Sequence, residues 1–389
     1  MKILARVALL AACFTGARAQ ASAEDWEIGR YLSKYPAMYV DAGLWHDARD
    51  RTFSASGARQ DGVAPTYGGN SRFPVTEGDV TLEWHFPFFE PEALPFISSR
   101  LWTARATLGY ARTHSEGAMA DYADAHGLVE KADGITDIAL EFGPVLWGSD
   151  NWRERKDHPL SVLLLGLATL PVGAREAESP NNLGSNKFSF GARLGAHARP
   201  LPRVLIDAGL SFQTYLADDE PAFGGQEPHR RGDDRSFDLT TALRVYRGIY
   251  AAASLRLRDG AANEYEKLQY TATTPAAGVG METFPDPAPA HDGGTRDARL
   301  GLALHAFVAP RVQIGVHFIH PLSGRSGEFQ QHYLQQTQNC AALGGCAPAD
   351  NGYVPVDGLG SARVYASNVW MLTLNWNLQQ GDPWLGDEP

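Results

Sequence analysis

Residues 186–213 read NKFSFGARLGAHARPLPRVLIDAGLSFQ, and the fold follows from them. Phe188, Phe190, Ala192, Leu194, Ala196 and Ala198 alternate with Ser189, Gly191, Arg193, Gly195, His197 and Arg199, the period of two of a β-strand with one apolar face. The chain turns at Pro200-Leu201-Pro202 and the alternation resumes. Val204, Ile206, Ala208, Leu210 and Phe212 take one parity, and Asp207, Gly209, Ser211 and Gln213 the other. A soluble sandwich would fill its inner face with bulky side chains. Here the second parity holds glycines and facing charges, the pattern of a closed barrel with lipid outside and a polar lumen.

The same alternation recurs along the chain. Upstream lie Met38 to Leu44, Val80 to Phe88, Trp102 to Tyr110 and Ile138 to Phe142, then Leu160 to Leu170, which is apolar on both parities. Downstream lie Phe237 to Val245, Ile249 to Leu257, Leu300 to Val308, Val312 to Phe318 and Trp370 to Leu378, which with the central pair makes twelve. Long segments (46–78, 113–134, 171–186, 217–235, 259–297, 321–363) interleave with shorter ones (89–99, 147–157, 200–202, 247–248, 309–311). A sandwich has no reason to sort its connections by parity. A bacterial barrel has, with long loops outside the cell and short turns in the periplasm. The expectation is an all-β fold, a transmembrane antiparallel β-barrel of about twelve strands over residues 37–378.

Both ends carry further signals. Met1-Lys2 and Arg6, an apolar run from Val7 to Gly16, and Ala17-Arg18-Ala19 before Gln20 predict a signal peptide over residues 1–19 and a protein exported to the outer membrane. Leu10-Ala11-Ala12-Cys13 also has the form of a lipoprotein box. Trp26, Ile28, Tyr31, Leu32 and Tyr35 fall mostly on one helical face before Pro36, so residues 20–36 read as a plug at the lumen mouth or a helix packed at the barrel rim. Residues 379–389 are polar and turn-rich and are expected to form a periplasmic tail. Once Cys13 is removed, only Cys340 and Cys346 remain, and a close pair in an exported chain reads as a disulfide. His332 in the same loop keeps a metal alternative open. A charged fraction of 20%, aromatics at 10% and 40 glycines suit lipid-facing strands joined by tight turns, and a net charge of −11 argues against nucleic acid as a partner.

The inward parity gathers Asp41, Glu83, His85, Arg105, Asp137, Glu141, Arg193, His197, Asp207, Asp238, Arg244, Arg256, Arg258, Arg299, His305 and His317. Such groups are costly in lipid and belong in a wet or mutually paired interior. They form either a charged constriction that orients a polar or anionic substrate group or a ladder of salt bridges that fills the lumen. Leu163, Leu165 and Leu167 would add an apolar stripe, either a slide for an amphipathic aromatic compound or a surface for an inward-folded segment. Nucleophile, metal and nucleotide motifs are absent. His320 beside Ser323 has no orienting third residue, so neither an enzyme nor a cofactor is expected. Arg231-Gly232-Asp233 spells an adhesion tripeptide by coincidence of a charge-rich loop. Asp218, Asp219, Glu220, Asp233 and Asp234 either hold a divalent ion bridging lipopolysaccharide or are merely solvated.

Leu170-Pro171-Val172-Gly173, Asn182-Leu183-Gly184-Ser185-Asn186-Lys187-Phe188-Ser189-Phe190, and the loop with Asp218-Asp219-Glu220, Phe223-Gly224-Gly225 and Gln226-Glu227-Pro228 resemble the family of outer-membrane proteins named for the MetA-pathway of phenol degradation. The resemblance is densest over roughly the C-terminal two-thirds of the chain. It implies a barrel that passes small, aromatic or hydrophobic compounds. The partners implied are outer-membrane lipid and lipopolysaccharide, the barrel-assembly machinery and a small-molecule substrate. The competing reading is a structural or adhesion barrel at the cell surface, without transport.

Overall fold

The structure is a computed structural model. It describes residues 26, 28, 30, 37–61, 71–87, 101–117, 120–121, 131–148, 160–174, 183–184, 187–217, 230–265, 268–273, 280–285, 290–291, 293–309, 311–336, 353–362 and 364–378. Twelve strands form the barrel: β1 (Ala37–Asp47), β2 (Val75–Pro87), β3 (Leu101–His114), β4 (Ile138–Trp147), β5 (Leu160–Leu170), β6 (Ser189–Leu201), β7 (Val204–Tyr215), β8 (Asp234–Tyr246), β9 (Ile249–Gly260), β10 (Thr295–Ala309), β11 (Val312–Arg325) and β12 (Val369–Asn377). Each pairs antiparallel with its sequence neighbours. β12 then returns to β1, with Tyr39 opposite Asn377 and Asp47 opposite Val369, so the sheet closes and leaves no barrel edge. No described helix is long and apolar enough to cross a membrane.

The period-two pattern sorts the side chains as a lipid solvent demands. Leu44, Leu82, Trp84, Leu210, Leu302, Leu304, Leu372 and Leu374 stand exposed on the outer face. Their strand neighbours Glu83, His85, Thr373 and His305 are buried inside. Aromatics mark both rims of the outer band. Trp84, Phe86, Phe142 and Trp102 stack at the short-turn end with centroid separations of 4.4, 6.5 and 5.0 Å along the series, and Phe318 meets Trp370 at 4.8 Å towards the long loops. Such girdles sit at the two interfaces of a bilayer.

Prolines fall where the ladder is already broken. The central hairpin turns at Pro202-Arg203, two residues later than the Pro200 start predicted above, and β6 runs through Pro200 to Leu201. Val204 pairs with Leu201 but Ile206 with Ala198, so Arg199 and Pro200 together oppose Leu205 in a bulge. A missing N–H costs no ladder bond there. Pro321 in β11 sits beside a similar register shift. At the turn between β8 and β9, Gly248 takes φ 67°, which glycine adopts without strain.

The long connections are more ordered than turn-rich composition predicts. Arg51–Phe53, Arg59–Asp61 and Val364–Tyr365 form a three-stranded sheet between the first and last long loops. Leu268–Thr273 pairs with Gly280–Pro285, and Gly327–Gln336 with Tyr353–Ala362. The signal sequence, Cys13, Tyr31, Leu32, Tyr35, Cys340, Cys346 and the tail 379–389 lie outside the described residues.

Candidate functional site: the barrel lumen

Register places opposite charges side by side at mid-lumen. One row across the sheet runs Tyr39, Glu83, Arg105, Glu141 on β1 to β4. Arg105 donates from Nε and Nη2 to Glu83 Oε1 at 2.9 and 2.8 Å, and from Nη1 to Glu141 Oε2 at 3.0 Å. His85 hydrogen-bonds Glu83 at 2.7 Å and Thr103 at 3.1 Å. Glu141 also receives Arg193 of β6 and, at 3.2 Å, Arg30 from the N-terminal segment. Arg105 Nη2 closes the knot by donating to the Arg30 carbonyl at 2.6 Å. Three guanidinium groups therefore surround Glu141. Pairing of this quality offsets the desolvation of buried ions.

Arg30 is one of three described N-terminal residues, all held inside the barrel. Trp26 packs with Trp45, Val75, Ile319, Val369 and Met371, and Ile28 packs with Tyr39, Leu205 and Tyr250. All three of Trp26, Ile28 and Arg30 are buried. Towards the short-turn end the lumen is further closed by Leu163 and Leu165, which meet Leu101 and Val145. Those two residues of the apolar stripe are thus sealed in packing between barrel strands, and Leu167 alone of the three borders open space. His197 bonds Asp207 at 2.9 Å, while His305 and His317 meet edge to face at 4.8 Å with His317 held to Thr373 at 3.1 Å. Asp41 is buried on β1, Asp238 and Arg256 share a row with Arg299, and Arg244 is half-buried at the short-turn end.

Above the knot, towards the long loops, the lumen opens into a cavity of ≈ 140 Å³. Glu77 and Asp79 of β2, Asp137 just before β4 and Glu141 of β4 line one side, Arg193, Arg231, Arg256 and Arg258 line the other with Asp234 among them, and Arg30 of the N-terminal segment also borders the space. Ala139 and Leu167 lie between. The residues that carried the family resemblance fix the acidic side. Gly173 N donates to Asp137 Oδ1 at 2.9 Å, and Leu183 N and Gly184 N both donate to Ala174 O, at 2.9 and 3.1 Å. A Cβ on Gly173 would stand 2.5 Å from Gly184 Cα, so the two segments of that loop touch through backbone there.

Several loop expectations are corrected. Asp234 is a lumen residue and not a solvated one: Arg258 and Arg231 pair with it, and Tyr215 Oη donates to it at 2.6 Å. It is therefore withdrawn from any ion bridge to lipopolysaccharide, and Asp218, Asp219 and Glu220 lie outside the described residues. Arg231 points inward over the Tyr215 ring at 4.2 Å, and a Cβ on Gly232 would collide with Ala261 O at 2.3 Å, so the adhesion tripeptide is structural. The His320 ring contacts Asn368 at 2.7 Å, with no carboxylate partner among the described residues. No group of three potential metal ligands occurs among the described residues. Glu77, Asp79, Arg30 and Arg231 were missed because strand β2 starts five residues earlier than its first bulky outward residue, Val80, and because Arg30 and Arg231 belong to no strand.

A closed antiparallel barrel is the fold the resemblance implied. Residues 75–257 match the family described as "Putative MetA-pathway of phenol degradation". The match therefore covers β2 to β9 rather than the C-terminal two-thirds. Among solved structures, an outer membrane channel from Pseudomonas putida is 11% identical with a TM-score of 0.56, covering 89% of this chain and 98% of its own. A FadL homologue of Pseudomonas aeruginosa is 10% identical with a TM-score of 0.33, covering 88% of this chain and 91% of its own. The toluene transporter TbuX of Ralstonia pickettii is 10% identical with a TM-score of 0.25, covering 92% and 93%. The first likeness is one of fold. No curated protein sequence matches the chain.

Proposed function

We propose that this protein is an outer-membrane channel or transporter for small, aromatic or hydrophobic compounds, and not an enzyme. The observation that carries the reading is the cavity at the long-loop end of the lumen, bordered by Leu167 and Ala139 as well as by charge. A barrel that served only as a surface structure would have no need to keep such a space open beside buried arginines. The apolar outer band and its aromatic girdles support residence in the outer membrane, in contact with lipid and lipopolysaccharide after insertion by the barrel-assembly machinery. The family description and the Pseudomonas putida channel agree with that reading.

The test is conductance of the purified protein in planar bilayers, together with uptake of single-ring aromatic compounds by a deletion strain and its complemented form. Transport predicts conductance steps and uptake restored on complementation. Silence in both assays, with the protein folded at the surface, would replace the channel by a structural or adhesion barrel.

A further inference from the structure

The outer face carries a charged row that the lumen does not use. Arg235 of β8 stands opposite Asp259 of β9, Asp259 opposite Arg296 of β10, and Arg296 opposite Arg325 of β11. Arg296 Nε donates to Asp259 Oδ1 at 2.8 Å, with the two side chains 69% and 54% exposed, so the rest of that guanidinium faces outward. Arg325 donates to the Gly293 carbonyl at 2.7 Å. Among the described residues no carboxylate pairs with Arg235 or Arg325, and Asp233, just before β8, pairs with no arginine. Three arginines thus share Asp259. Like charges directly opposite on one sheet face are unfavourable, so Arg296 and Arg325 leave a place for an anion. Across the barrel on β3 no such excess arises, since Arg112 stands opposite Asp133, and His114, opposite Lys131, bonds Glu116 at 2.9 Å.

The row lies at the depth of lipid headgroups. From Val245 near the short-turn end of β8 the outward residues are Leu243, Thr241, Leu239 and Phe237, and Arg235 follows. At ~3.3 Å per residue and a tilt of ~40°, Arg235 stands roughly 25 Å above Val245, the height of the apolar band of such barrels. The long loops lie on the same side, so this is the outer leaflet. Towards the bilayer centre, Leu210, Phe237, Leu257 and Ala298 stand side by side on β7 to β10. They line a groove of ≈ 910 Å³ on the outer face that reaches all three arginines. We propose that this groove is a docking site for lipid A, the phosphorylated and acylated glucosamine anchor of lipopolysaccharide. One phosphate sits between Arg296 and Arg325, and acyl chains lie along Leu210, Phe237 and Leu257. Planar guanidinium groups match a phosphate through parallel hydrogen bonds. Arg235 is two strand spacings from Arg296, roughly 10 Å, and receives the second phosphate, which a phospholipid lacks.

This inference rests on residence in the outer membrane and not on transport. Purified full-length protein in detergent is titrated with diphosphoryl lipid A, phosphatidylglycerol and inorganic phosphate, and binding is read from the rise in unfolding temperature and from lipid retained in native mass spectra. Lipid A is expected to bind well ahead of phosphatidylglycerol, with inorganic phosphate inert. Replacing Arg296 and Arg325 together by Gln should weaken lipid A about 30-fold, the ordinary worth of two arginines beside an anionic lipid surface. Arg112→Gln on β3 should change nothing, and heat-modifiable migration on gels confirms that each variant is folded. Equal binding of lipid A and phosphatidylglycerol, or of lipid A by the wild type and the double variant, overturns the site. Conductance and uptake without lipid A binding overturn the site and leave the channel, whereas lipid A binding without either leaves the site and overturns the channel.

Discussion

Arg105 grips one oxygen of Glu83 from two nitrogens, at 2.9 and 2.8 Å, in a site where both side chains are 1% exposed. The same guanidinium holds Glu141 and the backbone of Arg30. One residue thus ties two barrel strands to a segment that precedes the barrel. Removing a single partner of a buried pair leaves an uncompensated charge, at a cost of about 3–5 kcal/mol.

Arg105→Met is accordingly expected to destabilise the barrel by about that amount, while Glu83→Gln together with Arg105→Met costs less than the arginine change alone. Urea unfolding in detergent, followed by tryptophan fluorescence, measures both. A double variant no better than the single would show that the pair adds no coupling.

Trp26 lies over Gly301 of β10, where a Cβ would come within 2.7 Å of the indole Cε3 and Cζ3. Gly301→Val should therefore push the indole aside and increase single-channel conductance, with the barrel still heat-modifiable on gels. Unchanged conductance would mean that Trp26 does not restrict the path.

Replacing Arg256 and Arg258 together by Ala leaves Asp234 with Arg231 alone among its two arginine partners. The cavity then loses two of the five described arginines that border it. Reversal potentials in a salt gradient should shift towards cations. An unmoved reversal potential would mark the lumen charges as filling ion pairs and not as a filter.

Gly184→Val tests the loop that positions Asp137. Its Cβ would meet Gly173 O at 2.7 Å and Asp137 Oδ1 at 2.9 Å, one of them backbone. Overpacking of this kind costs about 1–3 kcal/mol. Lower unfolding stability with altered ion selectivity is expected, and a change in stability alone would separate the loop from the cavity.

Cys340 and Cys346 are predicted to form a disulfide at the cell surface that stabilises the loop tip by ~2 kcal/mol and hardly affects the barrel. Maleimide labelling of intact cells should require a reductant. Labelling without it would show free thiols, and labelling only after lysis would reverse the topology.

Strand number, the outward face of each strand and the sorting of long and short connections were legible in the chain because each rests on local periodicity. A lipid solvent permits only one parity of Phe188 to Ala198 to face outward, whatever the neighbouring strands do. What meets what inside the lumen depended on register, which local pattern does not carry. Glu141 draws Arg105, Arg193 and Arg30 from 36, 52 and 111 residues away. The turn-rich Leu170-Pro171-Val172-Gly173 and Leu183-Gly184 carried a family resemblance in the sequence, yet their task of fixing Asp137 through backbone contact shows only when the two segments touch. Inward charge was thus determined by the sequence itself. Which of those charges pair was decided by strand register and by the N-terminal Arg30 held inside the closed barrel.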